Sequence, residues 1–410
     1  RNGCNLTIGA SPVQGGTANS TFTNNLTGGT LTFTGAFWSN ADSVSRTMTV
    51  AGNGNTTISG NVTASSAVTG ADHNLTKTGT GTLQITSTGA TLDGNLNVNG
   101  GTVQITDFRS VNMHSASTTP GVINIGTSGT AGTLTIGTAT AATAAGLTLA
   151  ATKAINLAGT TGGATINANQ AGANPVIIGT IGTTGAGAKT LTLGGTSTTA
   201  DNLISGAIAD NGVVSLTKTD AGTWVLSGAN TYTGATTISG GTLKLTANAA
   251  ASTILADTSA LTFNANTATG SAGGALRFTG VSGSATTESL GALTPTAGPG
   301  VVTLVSGDGG TSAANLAFAS LGATTAASSV NFVTTGAGSG LVTLTGQTAT
   351  TATDLPGTAN FRGHLYINGA DFAAINSSAQ VITPVYGTTT GFVNAATSLT
   401  AANHNLLTGS

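Results

Sequence analysis

The sequence predicts an all-β chain that winds into a solenoid of short, stacked strands. Three observations support this fold class. Apolar and polar residues alternate in runs of four or five along the whole length. Glycine- and asparagine-rich pairs bound these runs, as expected for turns. Matched strands return after about 20 residues, a spacing that is typical of solenoid repeats.

The composition excludes several classes of protein. Charged residues make up 5% of the 410 residues, against about 25% in an ordinary soluble domain. Ten lysines and arginines cannot form the basic surface that nucleic-acid binding requires. The 84 threonines and 62 glycines disfavour helices, and no apolar run approaches the ~18 residues of a membrane-spanning helix. Cys4 is the single cysteine, so no disulfide can form within the chain.

The clearest strands cover residues 82–85, 102–105 and 242–245. In each of them an apolar residue alternates with Thr, Gln or Lys, which predicts one buried side and one solvent-facing side. The stretch from about residue 120 to 200 has weaker strands among Gly, Ala and Thr. We expect further coils with small side chains inside it, and a flexible linker is the alternative.

The spacing of the strands favours a solenoid over a sandwich. Thr82 and Thr102 are 20 residues apart, and Thr223 and Thr242 are 19 apart. A β-sandwich remains an alternative, but it would have longer strands with turn signals every ~8–12 residues. It therefore explains the repeat less well.

A longer internal repeat supports this interpretation. Residues 75–85 (LTKTGTGTLQI) align with residues 216–226 (LTKTDAGTWVL). Residues 94–105 (GNLNVNGGTVQI) align with residues 234–245 (GATTISGGTLKL). The offset is 141 in the first half and 140 in the second, so the connecting turn loses one residue. Both copies contain a strand, a turn, a second strand and a Gly-Gly pair.

The second copy resembles a known family. Residues 218–234 (KTDAGTWVLSGANTYTG), followed by residues 236–243 (TTISGGTL), resemble the autotransporter-associated β-strand repeat. That repeat marks the passenger domains of secreted bacterial autotransporters. The first copy departs from it at residues 87–92, where STGATL replaces the GANTYT turn. The resemblance implies a right-handed parallel β-helix on, or released from, a bacterial cell surface.

The resemblance also suggests how the chain is organised. Residues 289–372 look like the module that often follows such repeats in very large bacterial surface proteins. We therefore expect solenoid coils over residues 1–288, including both matched repeats, and a β-rich closing module over residues 289–410 that continues the solenoid. The chain begins at Arg1 without a Met or a signal peptide, so we expect a processed chain or a fragment of a longer protein.

Residues that could carry out chemistry are sparse. Asp201, Asp210 and Asp220 lie about ten residues apart, and paired carboxylates are what polysaccharide cleavage needs. They stand among turn residues without a supporting basic cluster, so we interpret them as turn aspartates. The four histidines lack metal-ligand spacing, and the adjacent Asp72 and His73 are interpreted as a loop. We expect no cofactor, no metal and no catalytic residue.

Two groups of aromatic residues are candidate binding sites, and each has a structural alternative. Residues 361–367 (FRGHLYI) are the densest cluster of functional residue types, and Arg362, His364 and Tyr366 are candidate contacts for a ligand or partner. An ordinary strand is the alternative for this cluster. Trp224 aligns with Leu83 of the first copy, which favours a place in the core.

These observations predict a non-enzymatic, extracellular structural protein that forms a surface fibre, filament or sheath. Low charge and open strand edges favour end-to-end self-association, as a homopolymer or with neighbouring repeats of a larger protein. The alternative is a passenger adhesin that binds a glycan or a host or cell-surface protein. Ice binding through Thr-x-Thr arrays and a polysaccharide-active enzyme are further alternatives.

Overall fold

The computed structural model confirms an all-β fold of parallel coils. It describes residues 3–9, 18–40, 44–64, 72–114, 117, 121–138, 144–249, 251–265, 273–307, 312–323, 328–335, 340–346, 365–368, 371–372, 374–375 and 378–382. The chain divides into two compact units. The first unit comprises residues 1–246 and 253–259, and the second comprises residues 247–252 and 260–410.

The strands of the first unit are short and follow one another closely. Their bounds are β1 (Leu6–Ile8), β2 (Ser20–Thr23), β3 (Thr30–Phe33), β4 (Phe37–Asn40), β5 (Arg46–Ala51), β6 (Asn55–Ile58), β7 (Val62–Ala64), β8 (His73–Lys77), β9 (Thr82–Ile85), β10 (Leu96–Val98), β11 (Gly101–Ile105), β12 (Ile123–Ser128), β13 (Gly132–Ile136), β14 (Ile155–Gly159), β15 (Ala164–Ala168), β16 (Ile177–Ile178), β17 (Ile181–Thr183), β18 (Lys189–Gly194), β19 (Asp201–Ile204), β20 (Val214–Lys218), β21 (Thr223–Leu226), β22 (Thr236–Ile238) and β23 (Gly241–Thr246).

One turn of the first unit has three sides, each a stack of parallel strands. The first face consists of β1, β3, β6, β9, β11, β13, β15, β18, β20 and β22. The second face consists of β2, β5, β8, β10, β12, β14 and β17. The third face is discontinuous: β4 pairs with β7 early in the chain, and β16, β19, β21 and β23 form a separate stack later in it. This arrangement is a parallel β-helix.

The core consists of apolar side chains stacked from coil to coil. On the first face, Leu83, Val103, Leu134 and Ile166 pair in register and are all fully buried. The residues between them point outward, as the alternating pattern predicts. Burial of each such side chain contributes about 1.5–3 kcal/mol, so the column is a main source of stability.

The length of a coil varies more than the sequence suggests. The predicted spacing of about 20 residues holds in the matched repeats, where Thr82 pairs with Thr102. Thr102, however, pairs with Thr133, 31 residues later. A 3-10 helix at Phe108–Val111 lengthens the connection after β11, and helix α1 (Ala144–Leu147) lies in the connection after β13. The described residues between 121 and 200, where a linker was the alternative, form β12 to β18, helix α1 and the connections between them.

The two matched repeats occupy different sides of the β-helix. The repeat at residues 75–105 places β8 and β10 on the second face and β9 and β11 on the first. The repeat at residues 216–245 places β20 and β22 on the first face and β21 and β23 on the third. The repeat therefore encodes a strand, a corner and a second strand, and this motif fits two different corners of the turn.

Both copies build their corner from the same backbone conformation. Gly79 and Asp220 are at matched positions and have left-handed φ values of 74° and 55°. Gly101 and Gly241 are the next matched pair, with φ values of 62° and 60°. Glycine adopts this conformation without strain, and Asp is among the few other residues that tolerate it. A Cβ atom at Gly241 would also lie 2.3 Å from the carbonyl oxygen of Asp220.

Each matched corner contains a buried lysine. Lys77 stacks between Val50 and Val98, and Lys218 stacks on Leu193, so both occupy positions that are otherwise apolar. The exposed fraction of the two lysines is 1% and 0%. Their aliphatic stems therefore extend the core to the corner.

The lysine ammonium groups cap corner carbonyls. Lys77 donates from Nζ to the carbonyl oxygens of Thr78 and Gly79. Lys218 does the same at its matched corner, with Nζ 3.0 Å from the carbonyl oxygen of Asp220. Burial lowers the pKa of both lysines to about 8, and the charge of Asp220 opposes part of this effect at Lys218.

The second unit combines three long strands with several short ones. Its strands are β24 (Ala251–Ser252), β25 (Leu261–Asn264), β26 (Gly274–Thr279), β27 (Thr286–Val305), β28 (Ala314–Leu321), β29 (Ser328–Thr335), β30 (Val342–Leu344), β31 (Leu365–Ile367), β32 (Asp371–Phe372), β33 (Ala374–Ile375) and β34 (Val381–Ile382).

Strand β27 organises the second unit. Its start pairs with β24, its middle with β25 and its end with β26, all in parallel. Strands β28 and β29 then stack on its two halves. Residues 288 and 289, where the sequence suggested a boundary between modules, both lie within β27, and that boundary stays a prediction.

A substitution at a matched corner tests the importance of its backbone. We expect Gly241→Ala to lower the free energy of unfolding by about 2–4 kcal/mol, because alanine is strained at this φ and its Cβ meets two carbonyl oxygens. Urea unfolding of the full chain measures the change. Gly179→Ala is the control, since a Cβ atom there meets nothing within 4 Å. Equal midpoints for the two variants would contradict this role.

The pKa of Lys218 makes a second prediction. The folded chain holds this pKa at about 8, below its ordinary value of 10.5, so the unfolded chain binds more protons between these two values. The free energy of unfolding should therefore rise as the pH increases from 8 to 10.5, by up to about 3 kcal/mol. Thermal unfolding across this range, compared with Lys218→Met, isolates the contribution. The prediction fails if the two proteins show the same pH dependence.

Candidate functional site

The first face of the β-helix presents an outward column of threonines. The paired positions in successive coils carry Thr82, Thr102, Thr133, Thr165, Thr192, Thr217 and Thr237. Their side chains are half-buried, because each one packs against the threonine of the neighbouring coil. Thr30 and Asn55 continue the column toward the N-terminus. The result is a regular row of polar side chains along nine coils, eight of which carry hydroxyl groups.

A second polar column runs beside the first. Thr57 donates from Oγ1 to Oε1 of Gln84 at 3.3 Å, and Gln84 donates from Nε2 to Oε1 of Gln104 at 3.3 Å. Gln104 in turn donates to the carbonyl oxygen of Gly137. These side chains are held in a fixed direction, so the face is a pre-organised surface of hydroxyl and amide groups.

The second face carries a ladder of asparagines. Asn156 donates from Nδ2 to Oδ1 of Asn124 at 3.1 Å, and Asn124 donates to Oδ1 of Asn97 at 2.9 Å. Asn97 completes the ladder by donating to Oγ1 of Thr76. The sequence interpretation missed this ladder. Its signal was present, because each asparagine is flanked by an apolar residue on both sides.

These columns limit what the surface can do chemically. Their hydroxyl and amide groups donate and accept hydrogen bonds, but none of them ionises at ordinary pH. They can bind a neutral polar partner, and they offer no general acid or base. The Thr-x-Thr pattern is complete only in some coils, since Gln84, Gln104 and Asn167 interrupt it.

The three aspartates that are candidates for catalysis make contacts within the fold. Asp201 accepts from Lys244 Nζ at 3.1 Å, and Asp220 accepts from the backbone N–H of Gly195 at 2.8 Å. Asp210 accepts from the backbone N–H groups of Val214 and Thr233. Each carboxylate is therefore engaged in a turn or a contact between coils.

His73 differs from its interpretation as a loop residue. It begins β8, is fully buried, and pairs with Asp93 of the next coil rather than with Asp72. His73 Nδ1 lies 3.0 Å from Asp93 Oδ1, which also accepts from the His73 backbone N–H. No group of three or more potential metal ligands occurs among the residues that the structure describes.

Of the three predicted contact residues Arg362, His364 and Tyr366, the structure describes only the backbone of Tyr366. Arg362 and His364 lie outside the described residues. Tyr366 lies in β31, where its backbone pairs with Asn331 of β29, and its side chain is not described. Their role as contacts stays a prediction. Trp224, by contrast, is fully buried as predicted and donates from Nε1 to the carbonyl oxygen of Gly194.

Comparison with known proteins identifies the matched segments. The sequence profile of the Passenger-associated-transport-repeat family matches residues 75–105 and 216–245. These are the two internal copies that build the lysine-capped corners. No solved structure matches the chain, and no helix in its described part is long and apolar enough to span a membrane.

A relative matches a short part of the chain. The adhesin BmaC autotransporter of Brucella suis biovar 1 (strain 1330) is 50% identical over 60 residues, which cover 14% of this chain and 2% of the adhesin. The chain thus spans a small fraction of the relative that it matches. The repeats and this relative together indicate a secreted protein of the cell surface. We conclude that the chain carries two passenger-associated transport repeats of the autotransporter type, folded as coils of a parallel β-helix.

Proposed function

We propose that this chain is an adhesive, non-enzymatic segment of an autotransporter passenger that binds glycans or proteins at a cell surface. The observation that carries the proposal is the match of residues 75–105 and 216–245 to the Passenger-associated-transport-repeat family. The relative that shares 50% identity over 60 residues is named an adhesin. That name describes the relative, and its extension to this chain is our inference.

The geometry of the first face supports an adhesive role. Its outward columns combine threonine hydroxyls with the side-chain amides of Gln84 and Gln104, all repeated from coil to coil. A flat row of hydrogen-bonding groups can contact an extended partner at many points. Each contact is weak, but their number gives affinity, as in other multivalent surfaces.

The lack of charge on this face predicts the kind of binding. Hydrogen bonds and van der Waals contacts are much less sensitive to salt than ion pairs between exposed groups. Binding through the first face should therefore change little, about twofold or less, when the salt concentration rises from about 0.05 to about 0.5 M. A partner held by charge would be released over the same range.

The adhesive surface can be tested with paired substitutions. The assay measures how well beads coated with the full chain retain cells and glycans. We expect Thr102→Lys combined with Thr165→Lys to reduce this retention at least ~10-fold. The reason is that two ammonium groups disrupt the neutral column and remain hydrated. The control combines Thr160→Lys with Thr258→Lys, which makes the same change of charge at exposed turn positions.

The outcomes separate adhesion from the alternatives. Thermal unfolding must first show that both double variants are folded. Wild-type beads that bind no better than uncoated beads would refute the adhesive role, and equal binding by the two variants would exclude the first face. Sedimentation of the same material tests the fibre predicted from the sequence, since self-association would appear as large particles without any added partner.

A further inference from the structure

The first coils concentrate a motif that the proposed function does not use. Ten of the 33 asparagines lie within residues 1–74, and six of these ten begin an Asn-x-Ser/Thr sequon. Only one of the remaining 23 asparagines, Asn376, does so. Serine and threonine are abundant throughout the chain, so composition accounts for the total but not for this concentration. The six sequons begin at Asn5, Asn19, Asn25, Asn55, Asn61 and Asn74.

Five of these six asparagines are exposed and are held in the same way. Asn5 Oδ1 accepts the backbone N–H of Thr30 at 2.9 Å, and Asn19 Oδ1 accepts that of Thr47 at 2.9 Å. Asn55 repeats this contact with Thr82 at 3.1 Å.

Asn25 and Asn61 are anchored through the same atom. Asn25 Oδ1 accepts the backbone N–H of Asn53 at 3.2 Å, and Asn61 Oδ1 accepts the hydroxyl of Ser87. In all five cases the side-chain oxygen faces the next coil, and Nδ2 donates to no other residue in the described part of the chain. Asn74 is half-buried and is left out of the argument.

Asparagines without a sequon often use Nδ2 inside the protein. Nδ2 of Asn24 donates to the carbonyl oxygen of Asn55 at 2.8 Å, and Nδ2 of Asn202 donates to that of Thr223 at 3.0 Å. Asn97, Asn124 and Asn156 use theirs in the asparagine ladder. None of these five begins a sequon. In the five exposed sequons, by contrast, the amide nitrogen is available for modification.

We propose that Asn5, Asn19, Asn25, Asn55 and Asn61 are sites of N-linked glycosylation. The proposal does not rest on the adhesive function, although Asn55 lies at the N-terminal end of the first-face column. The side-chain oxygen of a glycosylated asparagine remains an acceptor, so the contact with the next coil survives the modification. The hydroxyl residue of a sequon in a strand lies on the same side as its asparagine, because side chains alternate between the two sides.

The sugar donor for this transfer is a sugar linked to a diphosphate, and a separate glycosyltransferase catalyses the reaction. A bond forms between Nδ2 and the anomeric carbon of the sugar, and the bond from that carbon to the diphosphate oxygen breaks. The diphosphate leaves with the electron pair, and one Nδ2 proton passes to a base. The oxygen of the asparagine takes no part in the product bond.

The surface around the sequons has room for a sugar. An open cavity of about 390 Å³ lies between Asn5, Thr27, Asn53 and Asn55. Leu6, the central residue of the first sequon, has an exposed fraction of 52%. Sugars at these sites would cover apolar surface that the coils leave open to water.

Peptide sequencing of the chain taken from its own cells tests the proposal. Mass spectrometry with fragmentation that preserves side-chain modifications should find sugar masses on the asparagines of the five sequon peptides. Asn53 is the internal control, since it is exposed and accepts from Thr80 through Oδ1 but has no Ser or Thr two residues later. Unmodified sequon peptides, or sugars on Ser and Thr alone, would overturn the proposal.

A matched pair of variants tests the sequon itself. Thr21→Val removes the hydroxyl of the Asn19 sequon, whereas Thr21→Ser retains it, and Thr21 is exposed, so both variants should fold. We expect complete loss of the sugar from Asn19 in the first variant and its retention in the second. A sugar that persists on Asn19 in Thr21→Val would contradict recognition through the sequon.

Discussion

The structure depends on one constraint: the strands of each coil hydrogen-bond in parallel with those of the next coil. In-register pairing stacks equivalent residues on one another, so the same type of side chain tends to recur at the same position in neighbouring coils. Leu83 lies over Val103 in the core, and Thr82 lies over Thr102 outside it. The threonine column and the asparagine ladder follow from the same stacking, because a side-chain amide can donate to its copy one coil away.

The corners are where this constraint is hardest to satisfy. A chain that changes direction leaves carbonyl oxygens without a partner in the next strand, and buried carbonyls without partners are costly. Lys77 and Lys218 solve the problem with a long side chain whose stem completes the core and whose ammonium group caps the corner. Left-handed residues such as Gly101 and Gly241 then return the backbone to the strand direction.

Much of the fold was predictable because strand alternation and glycine-bounded turns are local signals. Residues 82–85 and 102–105 could be assigned as stacked strands from their spacing alone. The assignment of strands to three faces was not predictable, since β16 and β7 are only two and three residues long and too short to show a periodic pattern. A local sequence pattern assigns a lysine to the solvent-facing side of a strand. The inward position of Lys218 and its role at the corner therefore become clear only from its contacts with neighbouring coils. The asparagines of the ladder were missed because their partners are 21 to 32 residues away.

The corner motif has a consequence for how such chains grow. Because the same repeat folds at two different corners of the triangular turn, a gene duplication need not add a whole number of turns to give a product that folds. The duplicated segment must only contain two successive strands and the corner between them. Its own lysine and glycines then form that corner, whichever of the two corners it occupies. Chains built in this way can lengthen or shorten by recombination between repeats while the parallel, in-register pairing of their strands is kept.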